Sequence, residues 1–473
     1  MERSEKFDLI VRILIPLILI PVLGLGTRMH RGQQAQQRAQ LALTAGAHAT
    51  AAEDLAEAAA LLPRRAGLWE AAAQQAYQAN DLALAQEYFL QAQAQDGLSV
   101  TGQVQLGEVY RLNGDLGAAL QIWEAVEASA GDIPVLYTSL AESQRQLGHY
   151  PQAIEALQSL TYLEPGNAAA QYELGLLLAV FDPKAAPAHL AEAAGLDEDL
   201  ASSAQALERV VRRALTAEDS AYTYVLIGQE LASQEMWELA EIAFDKSTTE
   251  NPEYAEAWAY LGEARQHNGG DGLKELQYAI IYNSGSLAAN ILIGTYWQRH
   301  DHLETALYFL QKAAALEPDN PAVQVQLGSI QRDLGDLAAA LGHYQRATEL
   351  APANGIYWKA LAAFAVDNEV FVEDVGLPAA QRALELDADD LEALVLRGRA
   401  QFLLGDLAAA QESYAQIIAG GYDYAPAYLH MGILYLEEGL LVPAREHLVR
   451  AMTLDPDGPV GAQAQMLLEK YLE

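Results

Sequence analysis

The chain has 473 residues, 51% hydrophobic and 19% charged, enough apolar material to bury a core larger than one ordinary domain. Its 28 Lys and Arg against 64 Asp and Glu give a net charge of -36, so a phosphate backbone meets a repulsive field and nucleic-acid binding is disfavoured. With no Cys there are no disulfides, thiolate nucleophiles, cysteine zinc sites, iron–sulfur clusters or covalent haem links, and the redox compartment stays open.

Residues 7–26 form the one long apolar run, interrupted by Asp8 and Arg12. Twenty helical residues at about 1.5 Å each reach roughly 30 Å, the thickness of a bilayer core. Arg12 lies near one end, where its stem can snorkel, so residues 1–30 are expected to hold a single-pass transmembrane helix. A cleaved signal peptide is the rival, with Gly24-Leu25-Gly26 as a poor small-x-small site and Arg28 following at once; a merely buried helix is the other alternative. Arg3, Lys6 and Arg12 on one flank balance Arg28, Arg31 and Arg38 on the other, so counting positive charge does not orient the span. A short N-terminus before one span gives, by default, an extracytoplasmic body. Residues 31–65 read as linker helices or a degenerate repeat, since Ala51, Leu55, Ala58 and Pro63 sit at the offsets of the units that follow.

From residue 66 onward the sequence is self-similar. Leu327-Gly328 with Ala340, Tyr344, Ala347 and Pro352 recurs as Met431-Gly432 with Ala444, Leu448, Ala451 and Pro456, and as Ile227-Gly228 with Ala240, Phe244 and Pro252. A small residue marks each unit: Ala73, Gly107, Ala141, Gly175, Gly228, Gly262, Gly294, Gly328, Ala362, Gly398 and Gly432. Seven of the ten steps between them are 34 residues; the others are 53, 32 and 36. This pattern resembles the tetratricopeptide repeat family, with an aromatic at position 4 (Trp69, Trp258, Trp358), the small residue at 8, Tyr at 11 (Tyr110, Tyr435), Ala at 20 and 27, an aromatic at 24 (Phe89, Trp123) and Pro at 32 (Pro165, Pro318). The resemblance implies an all-α superhelical solenoid of about eleven helical hairpins, each stabilised by its neighbours. The boundaries expected are repeats over 66–197 and 218–458, an inserted amphipathic helix over 198–217 that uses up the 53-residue step, and a capping helix over 459–473.

No nucleotide-binding glycine loop, nucleophile elbow or His-Glu-x-x-His motif is present, so no enzyme, cofactor or small-molecule substrate is expected. His300-Asp301-His302 reads as a polar turn, with Asp301 helping to start the next helix rather than holding metal, and Asp387-Ala388-Asp389-Asp390 as a capping turn. The family binds partners mostly along a concave face lined by positions 2, 5, 9, 12 and 13 of the first helices. In this frame those positions place Arg111, Arg145, Tyr172, Tyr222, Arg299, Arg332, Lys359 and Arg399 there, beside Glu108, Glu142, Glu263, Asp333 and Asp367. A row of arginines could clamp a carboxylate-bearing peptide, or the acidic neighbours could simply neutralise it. The Lys-and-Asn clamp that some members use for chaperone C-termini is absent, because Lys359 is followed at position 9 by Ala363. The function expected is a membrane-anchored scaffold for protein partners, alternatively a noncatalytic subunit of a secretion, polysaccharide or protein-quality-control complex.

Overall fold

A computed structural model describes residues 26–95 and 97–472, all helix and connecting turn with no strand among them. The expected anchor over 7–26 lies, apart from Gly26, outside the described residues, among which no helix is long and apolar enough to cross a membrane. The chain divides into two compact units, one ending at Glu218 and one beginning at Asp219.

The first unit holds α1 (26–44), α2 (His48–Leu61), α3 (Leu68–Gln78), α4 (Leu82–Gln95), α5 (Val100–Leu112), α6 (Leu116–Ala130), α7 (Pro134–Gln146), α8 (Tyr150–Leu163), α9 (Ala168–Phe181), α10 (Ala186–Leu196) and α11 (Glu198–Ala214), the last ending in a 3-10 turn, Leu215–Ala217. The second holds α12 (Ser220–Ser233), α13 (Trp237–Glu250), α14 (Ala255–His267), α15 (Leu273–Tyr282), α16 (Leu287–Arg299), α17 (Leu303–Leu316), α18 (Pro321–Asp333), α19 (Leu337–Leu350), α20 (Gly355–Asp367), α21 (Leu377–Leu386), α22 (Leu391–Leu403), α23 (Leu407–Ala419), α24 (Ala425–Glu437), α25 (Leu441–Leu454) and α26 (Pro459–Tyr471). Helices pair in sequence order. α1 and α2 share a core of Ala35, Ala39, Leu55 and Ala59, so 31–65 is a hairpin rather than a linker. Among the described residues the hairpins therefore number twelve, five in the first unit and seven in the second, where the sequence suggested about eleven.

The hairpins of Gly107, Gly228, Gly294, Gly328, Gly398 and Gly432 close where position 8 meets position 24. A Cβ on Gly107 would lie 2.6 Å from Cε2 of Trp123, and one on Gly398 within 2.8 Å of Tyr414 Cζ. In these two hairpins only a hydrogen at that point leaves room for the buried Trp or Tyr ring. Where the first helix offers Ala, as at Ala73, the partner is the smaller Phe89. The turns repeat too. The residue seven after the small one takes a positive φ at Asn80, Gly114, Gly148, Glu235, Asp301, Gly335, Glu369, Gly405 and Gly439, ending the first helix with a left-handed residue. At Asp81, Asp115, Asp336 and Asp406 the next side chain accepts the backbone N–H three residues on, at 2.9–3.1 Å, and starts the second helix. Asp301 thus ends α16 rather than starting α17, whose N-cap is His302 with no side-chain hydrogen bond.

The irregular steps have local causes. In the 32-residue unit α15 spans only 10 residues, against 14 for α17. In the 36-residue unit the second helix opens with a π-helical turn, Val372–Gly376. α11 lays Ala204, Leu207, Val211 and Ala214 against α10 and α9. α9 consequently buries Leu174, Leu176, Leu177, Leu178, Ala179 and Val180 all round its axis, having α8, α10 and α11 as neighbours. At the other end α26 packs on α25, its first turn capped by Asp455 Oδ2, which accepts from Val460 N at 2.9 Å.

Candidate binding face of the first helices

Position 4 fixes how one hairpin hands on to the next. Trp258 Nε1 donates to Pro252 O at 2.7 Å and Trp358 Nε1 to Pro352 O at 3.0 Å. Gln171 donates to Pro165 O at 3.2 Å, Gln324 to Pro318 O at 3.1 Å, and Asn290 to Ser284 O at 3.0 Å. Each bond reaches six residues back and ties a first helix to the turn that enters it. His189 and His343 brace two of these glutamines at 2.8 Å, and burial holds both imidazoles below their usual pKa. Trp69 lacks the bond, and among the described residues its buried Nε1 has no partner; α3 begins only one residue before it.

The first helices, set by these ties, carry the predicted cations, and each is held by a carboxylate. In the first unit Arg111 grips Glu108 through Nε at 2.8 Å and Nη2 at 2.6 Å, with Glu142 of the next first helix at 3.8 Å. The hydrogen bond it donates to Glu108 is the main cause of its raised pKa. Arg145 on α7 meets Glu173 on α9 at 3.0 Å. Burial pushes the Glu173 carboxyl up, with Arg145 opposing and Glu142 reinforcing the shift. Tyr172, beside Glu173, is half-buried.

In the second unit Tyr222 stands at the start of α12, close enough to Tyr254 to affect it electrostatically; burial, then Glu256, pushes Tyr254 up to about 12. Arg299 on α16 is bidentate to Glu263 on α14, at 2.6 and 3.0 Å. Gln298 crosses from α16 to Ser329 and Asp333 on α18, at 3.0 and 2.5 Å. Arg332 turns to its own neighbour Asp333 at 2.9 Å and to Ser329 at 3.3 Å. Burial works against its charge and Asp333 more than restores it, leaving its pKa raised. Arg399 on α22 meets Asp367 on α20 at 2.6 Å, and Lys359 on α20 meets Asp390 and Glu392 at 2.9 and 2.8 Å. Glu173, Gln298, Ser329 and Glu392 are members that the sequence reading did not single out, and Asp390 entered it only as part of a capping turn, which it also is. For the acids the signal was there: an opposite charge about one repeat along, as from Lys359 to Glu392.

Each unit thus carries a polar ladder, with most of its rungs between successive first helices. Its cations keep spare donors, because a guanidinium has five N–H groups and Arg399 spends only Nη1 on Asp367. Exposed apolar side chains flank it: Val135 on α7 and Ile356 on α20, both at position 2 and both 64% exposed. Beside Arg299 a cavity of about 320 Å³ is lined by Gln266, His267, Asp271 and His300. His267 stacks on Trp237 with centroids 3.6 Å apart. His300 stacks on Tyr296, whose hydroxyl donates to Asp271 at 2.7 Å. Among the described residues no group of three or more His, Asp or Glu could hold a metal ion.

A tetratricopeptide repeat profile matches residues 138–197 and 295–355, and a second profile of the same description matches 392–419. The chain is a tetratricopeptide repeat protein. It is similar to human tetratricopeptide repeat protein 13, 28% identical over 138 residues that make up 29% of this chain and 16% of that protein. The match therefore spans less than a fifth of the human protein's length. Among solved structures this repeat protein is similar to the APC/C hetero-tetramer Cut9-Hcn1, at 14% identity and a TM-score of 0.40, covering 94% of this chain and 96% of that one. It is also similar to YrrB, described as a tetratricopeptide repeat protein with an unusual peptide-binding site, at 24% identity and a TM-score of 0.30, covering 41% and 98%.

Proposed function

We propose that the protein is a scaffold that holds segments of partner proteins along the first-helix faces of its repeats, tethered to a membrane by residues 7–26. One observation carries the reading: the polar ladder is built from partly exposed cations, Arg145, Arg299, Lys359 and Arg399 balanced by a carboxylate of a neighbouring hairpin and Arg111 and Arg332 chiefly by one on their own helix, with donors left over and exposed apolar side chains beside it. A rigid core would bury such groups or replace them. A surface that trades one carboxylate for another needs them half-exposed, so that an incoming acidic side chain or C-terminus takes over donors while the resident acid turns to water. Binding by such exchange costs little desolvation and gives specificity rather than extreme affinity. Arg111, Arg145, Arg299, Arg332, Lys359 and Arg399 would supply the donors, and Tyr172, Tyr222, Val135 and Ile356 the apolar contacts.

The test is cross-linking and recovery from membranes of the intact chain beside a variant carrying Arg299→Glu, Arg332→Glu and Arg399→Glu. A defined partner set recovered with the intact chain and lost with the folded variant supports the reading. The same set with both refutes the ladder as the working surface.

A further inference from the structure

The first hairpin departs from the charge pattern of everything after it. Residues 1–65 hold eight of the 28 Lys and Arg but only six of the 64 Asp and Glu, and none of those acids lies between Asp8 and Glu53. The fold concentrates this bias at one end. Because α1 and α2 are antiparallel, the start of α1 and the end of α2 lie together, and Gly32 makes the approach close: a Cβ there would be 2.6 Å from Leu62 Cγ. A cavity of about 490 Å³ opens between them, lined by Arg28, Arg64, Arg65, Met29, Leu61 and Leu62 among others.

The pairing of these arginines sets them apart from the ladder. Arg28 donates through Nη2 to the backbone oxygen of Ala60 at 2.7 Å, and Arg65 through Nη1 to Gln36 Oε1 at 2.6 Å. Among the described residues none of Arg28, Arg64 and Arg65 makes an ion pair, in a protein with more than two acids for every base. Arg31, on the same end of α1, sees one carboxylate, Glu57, at 3.8 Å and is 69% exposed. Met29 is 55% exposed, so the same opening offers both cationic and apolar contact.

We propose that this end of α1–α2 is a binding site for the headgroups of anionic phospholipids. Three arginines without counter-ions among the described residues match the phosphate and its neighbouring anionic charge, and Met29, Leu61 and Leu62 match the glycerol and first methylenes. Placement selects a lipid over other anions: the apolar run 7–26 leads into this end of α1, so a membrane holding that run lies against the arginines. The proposal rests on the anchor reading for that placement alone. The repeats that follow are strongly acidic, so an anionic surface attracts this end and repels the rest.

The test is flotation of the full chain with vesicles of phosphatidylcholine alone and of phosphatidylcholine with phosphatidylglycerol, at low and high salt. Each juxtamembrane arginine adds a factor of about five to binding at an anionic surface. The intact chain should therefore prefer the anionic vesicles by at least about tenfold at low ionic strength, with the preference screened away at about 500 mM salt. Arg28→Glu/Arg64→Glu/Arg65→Glu should bring the ratio near one, while the triple Arg→Lys variant, matched in its circular dichroism melt, should keep it. A ratio near one for the intact chain overturns the site while leaving the anchor standing if the chain floats with both vesicles. Flotation with anionic vesicles alone supports the site and sinks the anchor; flotation with neither sinks both. A preference that survives charge reversal also overturns the site.

Discussion

Replacing Gly107 by Ala adds one methyl group where the hairpin has no room. The new carbon would sit 2.6 Å from Cε2 and 2.8 Å from Cδ1 of Trp123, whose side chain is fully buried. The indole must retreat by about 1 Å to restore van der Waals contact. That retreat strains or breaks the 3.0 Å bond from its Nε1 to Val104 O. Overpacking costs about 1–3 kcal/mol and a weakened buried hydrogen bond about 1 kcal/mol more. Ala's better helix propensity returns about 1 kcal/mol, for a net loss of about 2 kcal/mol. Gly117→Ala on the facing helix is the control, because its Cβ would meet only Asp115 Oδ1 at 3.7 Å; it should stabilise by about 0.5 kcal/mol. Repeat arrays need not unfold in one step, so the assay is native-state hydrogen exchange of α5 and α6 amides. Gly107→Ala as stable as Gly117→Ala would refute the close-packing argument.

Glu235 holds φ at +60° in an exposed turn where most other repeats place Gly, so Glu235→Gly should stabilise the second unit by about 1 kcal/mol, read as a higher denaturant midpoint. Trp258→Phe removes the donor to Pro252 O and should cost about 1 kcal/mol, with faster exchange in the turn ahead of α14. A double-mutant cycle of Asp367→Asn and Arg399→Gln should give a coupling of only about 0.2–1 kcal/mol, since the pair is half-exposed; a much larger coupling would mean the ladder is structural rather than exchangeable. Burial, then Arg399, pushes His430 down to about 3. Its folded pKa lies below the unfolded value of about 6.5, so its contribution is complete above that pH and is lost as pH falls toward the folded value, about 2 kcal/mol by pH 5. Denaturation of the intact chain and of His430→Gln at pH 8 and pH 5 checks this: the variant should lose less stability on acidification, and an equal loss would contradict it.

The hairpins were legible because their packing rule uses residue size at a fixed separation. A glycine at 107 and a tryptophan at 123 are a contact written sixteen residues apart, and the same spacing from glycine to an aromatic recurs at Gly228 with Phe244 and at Gly398 with Tyr414. The ties at position 4 were half legible: Trp258 and Trp358 stood out as large, but the turn carbonyls they bond depend on where the helix begins, and at Trp69 that start comes too late. The ladder was legible as a set of positions and not as a set of pairs. Whether Arg332 reaches a neighbouring helix or its own Asp333 depends on rotamers that spacing does not encode, and here it folds back. The turn at Asp301 was misread because Asp both caps helices and tolerates the left-handed region; its offset from Gly294 decides for the second.

The most direct measurement is site-specific photo-cross-linking in membranes, with the reactive residue placed in turn at Val325 and Ile356 on first helices and at Tyr308 and Val442, exposed on second helices. Adducts to a defined partner from Val325 and Ile356, and none from Tyr308 and Val442, are the result expected of a scaffold that binds along its first helices. Adducts only from the second-helix positions would contradict it.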